Sequence, residues 1–126
     1  MTTAIRDFER SFVCGSSTLI AKQYFAVKQD TDGTVVLAGA NGTGIVGVLQ
    51  NKPAVGKAAL VRWLGSSKAI AGGAIAVGAY VTSDANGNVI ATTTNKDTVL
   101  GRFIGTAAAA SGDVVEIQIG IFTLSI

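Results

Sequence analysis

Short runs of β-branched and other apolar residues alternate along this chain with polar, glycine-bearing turns, and no long stretch holds a helical period. Tyr24-Phe25-Ala26-Val27-Lys28 runs into Asp30-Thr31-Asp32-Gly33 and leaves through Val35-Val36-Leu37. Asp84-Ala85-Asn86-Gly87 sits between similar runs further on. Asp-Gly and Asn-Gly between β-branched segments predict hairpins in which both turn residues tolerate positive φ. Residues 44–49 and 99–104 predict short strands, and residues 58–64 and 114–124 predict longer ones. In the last of these Val115, Ile117, Ile119 and Ile121 alternate with Glu116, Gln118 and Gly120, the pattern of a half-buried strand.

The pattern occurs twice. Val27, Asp30, Gly33, Val35, Asn41 and Gly47 superpose without a gap on Val81, Asp84, Gly87, Val89, Asn95 and Gly101, a spacing of fifty-four residues. Two further residues then bring Gly56 over Gly112 and Val61 over Ile117. Two copies are too few to cap a solenoid, so one domain of two related halves is expected, with the repeat at about 21–63 and 75–119. The fold expected is all-β, a small β-barrel or sandwich built from these halves within residues 19–126. The small residues of 70–78 are expected to join the halves by crossing the domain in close packing, and 107–110 to form a loop in preference to a helical turn.

Residues 1–18 look different. Their four charges sit among Ile5, Phe8, Phe12 and Val13, a spacing that fits either one short amphipathic helix or an extended N-terminal arm that docks its aromatics on a neighbour.

Composition narrows the function. The 126 residues suffice for one domain with a core of its own, and the net charge of +2 comes from ten basic and eight acidic side chains scattered along the sequence. Nucleic acid demands a basic stripe, which is missing. Cys14 stands alone, so no intramolecular disulfide and no cysteine-built zinc site can form. There is no histidine, which removes the commonest general base and metal ligand. Charges at Arg6, Asp7, Glu9 and Arg10 interrupt the place where a signal peptide needs an apolar core, and the longest charge-free apolar run, 69–81, is too short and glycine-rich to span a bilayer. A soluble protein of a reducing compartment is expected, with no catalytic residue, no metal and no cofactor. Sparse charge on a small protein points to an oligomer or a subunit of an assembly.

Several motifs reduce to scaffold. Gly42-Thr43-Gly44-Ile45-Val46-Gly47 spells a dinucleotide fingerprint, but strand-forming residues follow where a helix must receive the pyrophosphate. Asp30 and Asp32 open like a calcium loop that no closing glutamate completes. Asn41-Gly42-Thr43 is a formal glycosylation acceptor that matters only in a secretory pathway. Serines lack a histidine partner, and Asp113 and Glu116 fall on opposite sides of a strand. Arg62, Trp63, Tyr80, Arg102 and Phe103 are the candidate subunit contacts, because arginine and aromatics dominate such surfaces, with a core position the alternative for Trp63.

The stretches 24–33, Gly47-Val48-Leu49-Gln50-Asn51-Lys52-Pro53-Ala54 with Gly56, and 78–87 resemble tailed-phage capsid decoration or cement proteins over residues 19 to 119. That resemblance implies a small β-rich structural protein on the outer surface of the phage head in the virion, made in the host cytoplasm. It implies the major capsid protein as partner and self-association as a homotrimer, with no enzymatic activity, no nucleic acid and no membrane. Residues 1–18 lie outside it, and from them Ile5, Arg6, Phe8, Arg10 and Phe12 are the candidate capsid contacts. Two other classes remain open. A biotinyl or lipoyl carrier domain also has two β halves and would use Lys68, and a phage fibre or receptor-binding module would present aromatics to a glycan.

Overall fold

The computed structural model describes residues 8–15 and 18–125. Ten strands run in order: β1 (Glu9–Val13), β2 (Ala26–Gln29), β3 (Val35–Leu37), β4 (Ile45–Leu49), β5 (Ala58–Arg62), β6 (Gly65–Ile70), β7 (Tyr80–Ser83), β8 (Val89–Ala91), β9 (Thr98–Phe103) and β10 (Val114–Thr123). A 3₁₀ turn at Ala40–Gly42 is the one helical element among the described residues. The strands form two five-stranded antiparallel sheets, ordered β1-β5-β4-β2-β3 and β6-β10-β9-β7-β8, an all-β arrangement of the small-sandwich type. The second order is the first with every strand advanced by five.

The correspondence is residue by residue. Val27 faces Gly47 and Leu37, and Val81 faces Gly101 and Ala91. Outside the strands the same backbone bonds recur. Gly15 N–H donates to the Val35 carbonyl and Gly72 N–H to that of Val89, both at 2.8 Å. Leu19 N–H reaches Pro53 at 3.0 Å, as Ile75 N–H reaches Ala109 at 3.1 Å. Glu9–Val13 therefore occupies in the first sheet the edge position that β6 occupies in the second, extended and hydrogen-bonded to β5. The expected helical alternative for this segment is replaced by a strand because β5 offers it a free edge.

Each sheet buries one face on a core of its own. Cys14, Leu19, Val27, Val35, Leu49, Ala59 and Val61 form one cluster. Their counterparts Ala71, Ile75, Val81, Val89, Phe103, Val115 and Ile117 lie in the other, which is larger. The excess comes partly from the first half. Ala26, Ala38, Ile45 and Val48, on the opposite face of the first sheet, join the second sheet's core. The first half sits on the second, and Gly42 marks how closely: a Cβ there would lie 2.2 Å from the Thr98 carbonyl oxygen.

Local details differ from the sequence reading in three places. In each hairpin only glycine takes positive φ, Gly33 at +86° and Gly87 at +80°. Gly33 N–H donates to the Asp30 carbonyl at 3.0 Å and Asp30 N–H to that of Thr34 at 2.7 Å, a three-residue loop with a bulge in place of a two-residue one. The halves are joined at Trp63 and Leu64, between β5 and β6, and not by residues 70–78, which correspond to the segment after β1. Ile121 is exposed because the register of β10 on β9 shifts between Ile119 and Phe122, ending the alternation that buries Val115, Ile117 and Ile119.

Candidate functional site

Apart from exposed Glu116, the acidic groups described are engaged in building the scaffold. Asp30 and Asp32 cap the first hairpin, where the Asp32 carboxylate accepts the Thr34 hydroxyl at 2.6 Å and the Thr34 amide at 3.1 Å. Those bonds, the hydroxyl first, hold the Asp32 carboxyl below the usual carboxylate range. Asp84 accepts the Asn86 and Asn88 amides in the second hairpin, and buried Asp97 accepts the Thr92 hydroxyl at 2.6 Å. Among the described residues no group of histidine, cysteine, aspartate and glutamate is placed to hold a metal, and no helix is long and apolar enough to cross a membrane. The Gly42–Gly47 motif runs directly into β4, which starts at Ile45 within it, so no helix N-terminus stands ready for a pyrophosphate.

Lys68 corrects one reading. It lies within β6 with its Nζ 5.7 Å from the centre of the Tyr24 ring, whereas a carrier lysine needs the tip of a tight hairpin.

Two aromatic surfaces remain. The first gathers around β1. Arg10 and Phe12 face Val61 and Ala59 across the β1–β5 ladder, on the side of the sheet that carries its core. Arg10 lies over the Phe12 ring at 5.4 Å, and Trp63, whose backbone N–H donates to the Phe8 carbonyl at 2.9 Å, packs edge-on against the Phe8 ring. Arg10, Phe12, Val46 and Trp63 line one shallow groove there. On the reverse side Glu9 stands opposite Arg62 in an ion pair, and Arg62 Nη1 also donates to the Ser66 carbonyl at 2.7 Å, tying the edge strand to the start of the second half. Trp63 is 43% exposed, so the core alternative for it is set aside. Ile5 and Arg6 lie outside the described residues.

The second surface lies on the far sheet. Tyr80 faces Arg102 across the β7–β9 ladder, both exposed, and the Tyr80 ring meets Phe122 edge-on at 5.3 Å. Arg102 Nε donates to the Gly78 carbonyl at 3.3 Å. Phe103, the next residue, points the other way. It is 3% exposed in the second core, and its expected role as a subunit contact is corrected on that ground, because alternate residues of a strand face opposite sides. Phe122 and Ile104, both exposed beside Tyr80 and Arg102 in sequence register, were missed by sequence reasoning. Their signal was that the residues paired with Tyr80 and Arg102 by the fifty-four-residue spacing, Ala26 and Val48, are apolar.

With this geometry in place, a family model for phage cement proteins matches residues 21–119. Among solved structures the chain is similar to the head fibre gp8.5 N base of bacteriophage phi29, with a TM-score of 0.65 and 22% identity, over 94% of this chain and 99% of that one. At that identity the likeness speaks to the fold. No curated protein matches the chain.

Proposed function

This chain belongs to the phage cement protein family, and we propose from that membership that it binds the major capsid protein on the outside of the phage head as a homotrimer and stabilises the shell. As a member it is a structural, capsid-associated phage protein, of a kind that is not normally enzymatic. The observation that carries the finer reading is the placement of its apolar and aromatic surface. All the described carboxylates except that of Glu116 are absorbed by turns and pairs, while Phe8, Trp63, Tyr80 and Phe122 stand exposed in two patches on the β body.

The mechanism is geometric. A cement protein bridges neighbouring capsomers, and many modest contacts repeated over a lattice resist internal pressure through avidity, with no contact required to be strong alone. The capsid contact is assigned to the N-terminal residues Ile5, Arg6 and Phe8, of which Phe8 lies exposed at the entry to β1. The test is co-sedimentation with heads lacking the protein. Binding that raises the temperature at which heads lose DNA supports the reading, and heads that leave the protein in the supernatant contradict it.

A second reading has one observation in its favour. The fold covers nearly the whole of a head fibre base, so the chain would serve as the pedestal of a fibre. Density for a further fibre projecting outward from the bound protein on heads would favour that reading, and density for this chain alone would count against it.

A further inference from the structure

We propose that copies of this chain associate head to tail, with the Tyr80–Arg102 face of one copy seated on the groove of Arg10, Phe12, Val46 and Trp63 of the next. The proposal deepens the homotrimer reading and rests on it, assigning the two faces that meet.

The molecule itself displays the contact. Within one chain the first half presents Ala26 and Val48, paired across the β2–β4 ladder, to the second half. Both are fully buried there in one cluster with Ala69, Leu100 and Ile119. Polar bonds fix the seating: Ala26 N–H donates to the Gly87 carbonyl at 2.8 Å, and Gln50 Nε2 donates to the Ser67 hydroxyl at 2.9 Å. The second half thus receives an occupant over Ser67, Ala69, Leu100 and Ile119.

The strand correspondence converts these residues into their counterparts. Ser66 and Glu9 face Gln118 and Arg62 in the two sheets, so Ser67, Ala69 and Ile119 hold the places of Arg10, Phe12 and Trp63, and Leu100 that of Val46. These four residues line the open groove. The occupant converts in the same way. Ala26 and Val48 correspond to Tyr80 and Arg102, which pair across β7 and β9 as Ala26 and Val48 pair across β2 and β4. Among the described residues the chain therefore carries one filled socket and one used plug, and also one open socket and one exposed plug of the same backbone design.

The side chains differ as the proposal requires. Ala26 and Val48 are small and apolar, suited to a contact made once during folding. Tyr80, Arg102 and Trp63 are large and amphipathic, the types that tolerate water before association and dominate the centres of interfaces afterwards, and Phe12 adds a large apolar ring beside them. Arginine over an aromatic ring adds attraction that a Val–Ile contact lacks. Arg10 and Phe12, expected from the sequence to face the capsid, belong on this account to the contact between copies. A plug-and-socket contact is heterologous, so it must either close into a ring or run on as a fibre. Three copies closing a ring would set six related β units around one axis.

The test uses the full chain with Trp63→Glu and Tyr80→Glu, both at exposed positions, and sedimentation velocity. Wild type is expected to sediment as a trimer, and each variant alone as a monomer with an unchanged far-ultraviolet circular dichroism spectrum. Mixing the two variants is expected to restore one intact contact, Trp63 of one with Tyr80 of the other, giving a one-to-one dimer that grows no further. That complementation also shows that both variants are folded. A wild-type trimer with either variant still trimeric, or two folded variants that never pair, overturns the assignment of faces and leaves the trimer standing. A wild type that stays monomeric at high concentration overturns the trimer and the faces together, while capsid binding is read separately by co-sedimentation.

Discussion

Trp63 and Ile119 hold the same place in the two sheets, yet Ile119 is 2% exposed and Trp63 is 43% exposed. The backbone positions are related by the register of β5 and β10 on their neighbours, so the difference lies in what covers them. Ile119 is buried in the cluster that Ala26 and Val48 of the first half join, whereas among the described residues Trp63 meets only the edge of Phe8 and the open groove of Arg10, Phe12 and Val46. Trp63 is the single tryptophan, which makes its fluorescence a direct report. On concentrating the protein through assembly the emission is expected to shift to the blue and quenching by iodide to fall. Unchanged emission across a demonstrated oligomerisation would place Trp63 outside the contact.

Gly47 and Gly101 test whether the two sheets are built by one rule. A Cβ on Gly47 would lie 2.2 Å from the Arg62 carbonyl oxygen, and one on Gly101 2.2 Å from that of Gln118. Gly112, with φ of +89° and nothing near its Cβ direction, supplies the control of backbone strain without a clash. Alanine at 47 or 101 is expected to cost about 2–4 kcal/mol, and at 112 about 1–2 kcal/mol, read from urea midpoints. Equal losses at all three would show that the close approach of strands is not what requires glycine.

The Glu9–Arg62 pair holds β1 to β5, with both side chains about one-third exposed. Solvent screening keeps such a pair weak, so Glu9→Gln is expected to cost no more than about 1 kcal/mol. The loss should fall on β1, whose amides exchange faster with deuterium, and it should shrink in strong salt. Global stability falling with no change in β1 exchange would contradict the local role.

Asp32 gives the pH-dependent case. Its carboxyl is held low by the Thr34 hydroxyl and amide, so the charged form is favoured in the folded state. The contribution is present above the ordinary carboxylate pKa and is lost as pH falls through the lowered folded value. Thr34→Val removes the first of the two donors. Carboxyl-carbon NMR is expected to show the Asp32 midpoint move upward in that variant, and an unmoved midpoint would assign the shift elsewhere.

Much of this was legible in the sequence. Hairpins at Gly33 and Gly87, the strands around Val48 and Leu100, and the alternation from Val115 to Ile119 all follow from turn chemistry and period two. The strand Gly65–Ile70 was not, because Gly65-Ser66-Ser67-Lys68 has no propensity for it and the strand exists because β10 offers it an edge. Its counterpart β1 was hidden for a related reason. Phe12 over Ala69 and Cys14 over Ala71 share little except burial on the inner face, so a comparison of letters begins the repeat too late. The bulge that turns Ile121 outward leaves no local mark. Whether the faces that carry Trp63 and Tyr80 stay open depended on the stacking of one half on the other, which no single strand encodes, whereas the inward turn of Phe103 follows from its place next to Arg102 on one strand. Among the candidate contacts, Phe103 was misplaced because adjacent strand residues cannot share a face, while Tyr80 and Arg102 fell on a common face.

The most direct measurement is electron cryo-microscopy of undecorated heads mixed with the full-length protein. The account predicts uniform added density of trimer size at local or quasi-threefold positions on the outer surface. Bare shells at saturating protein would contradict it.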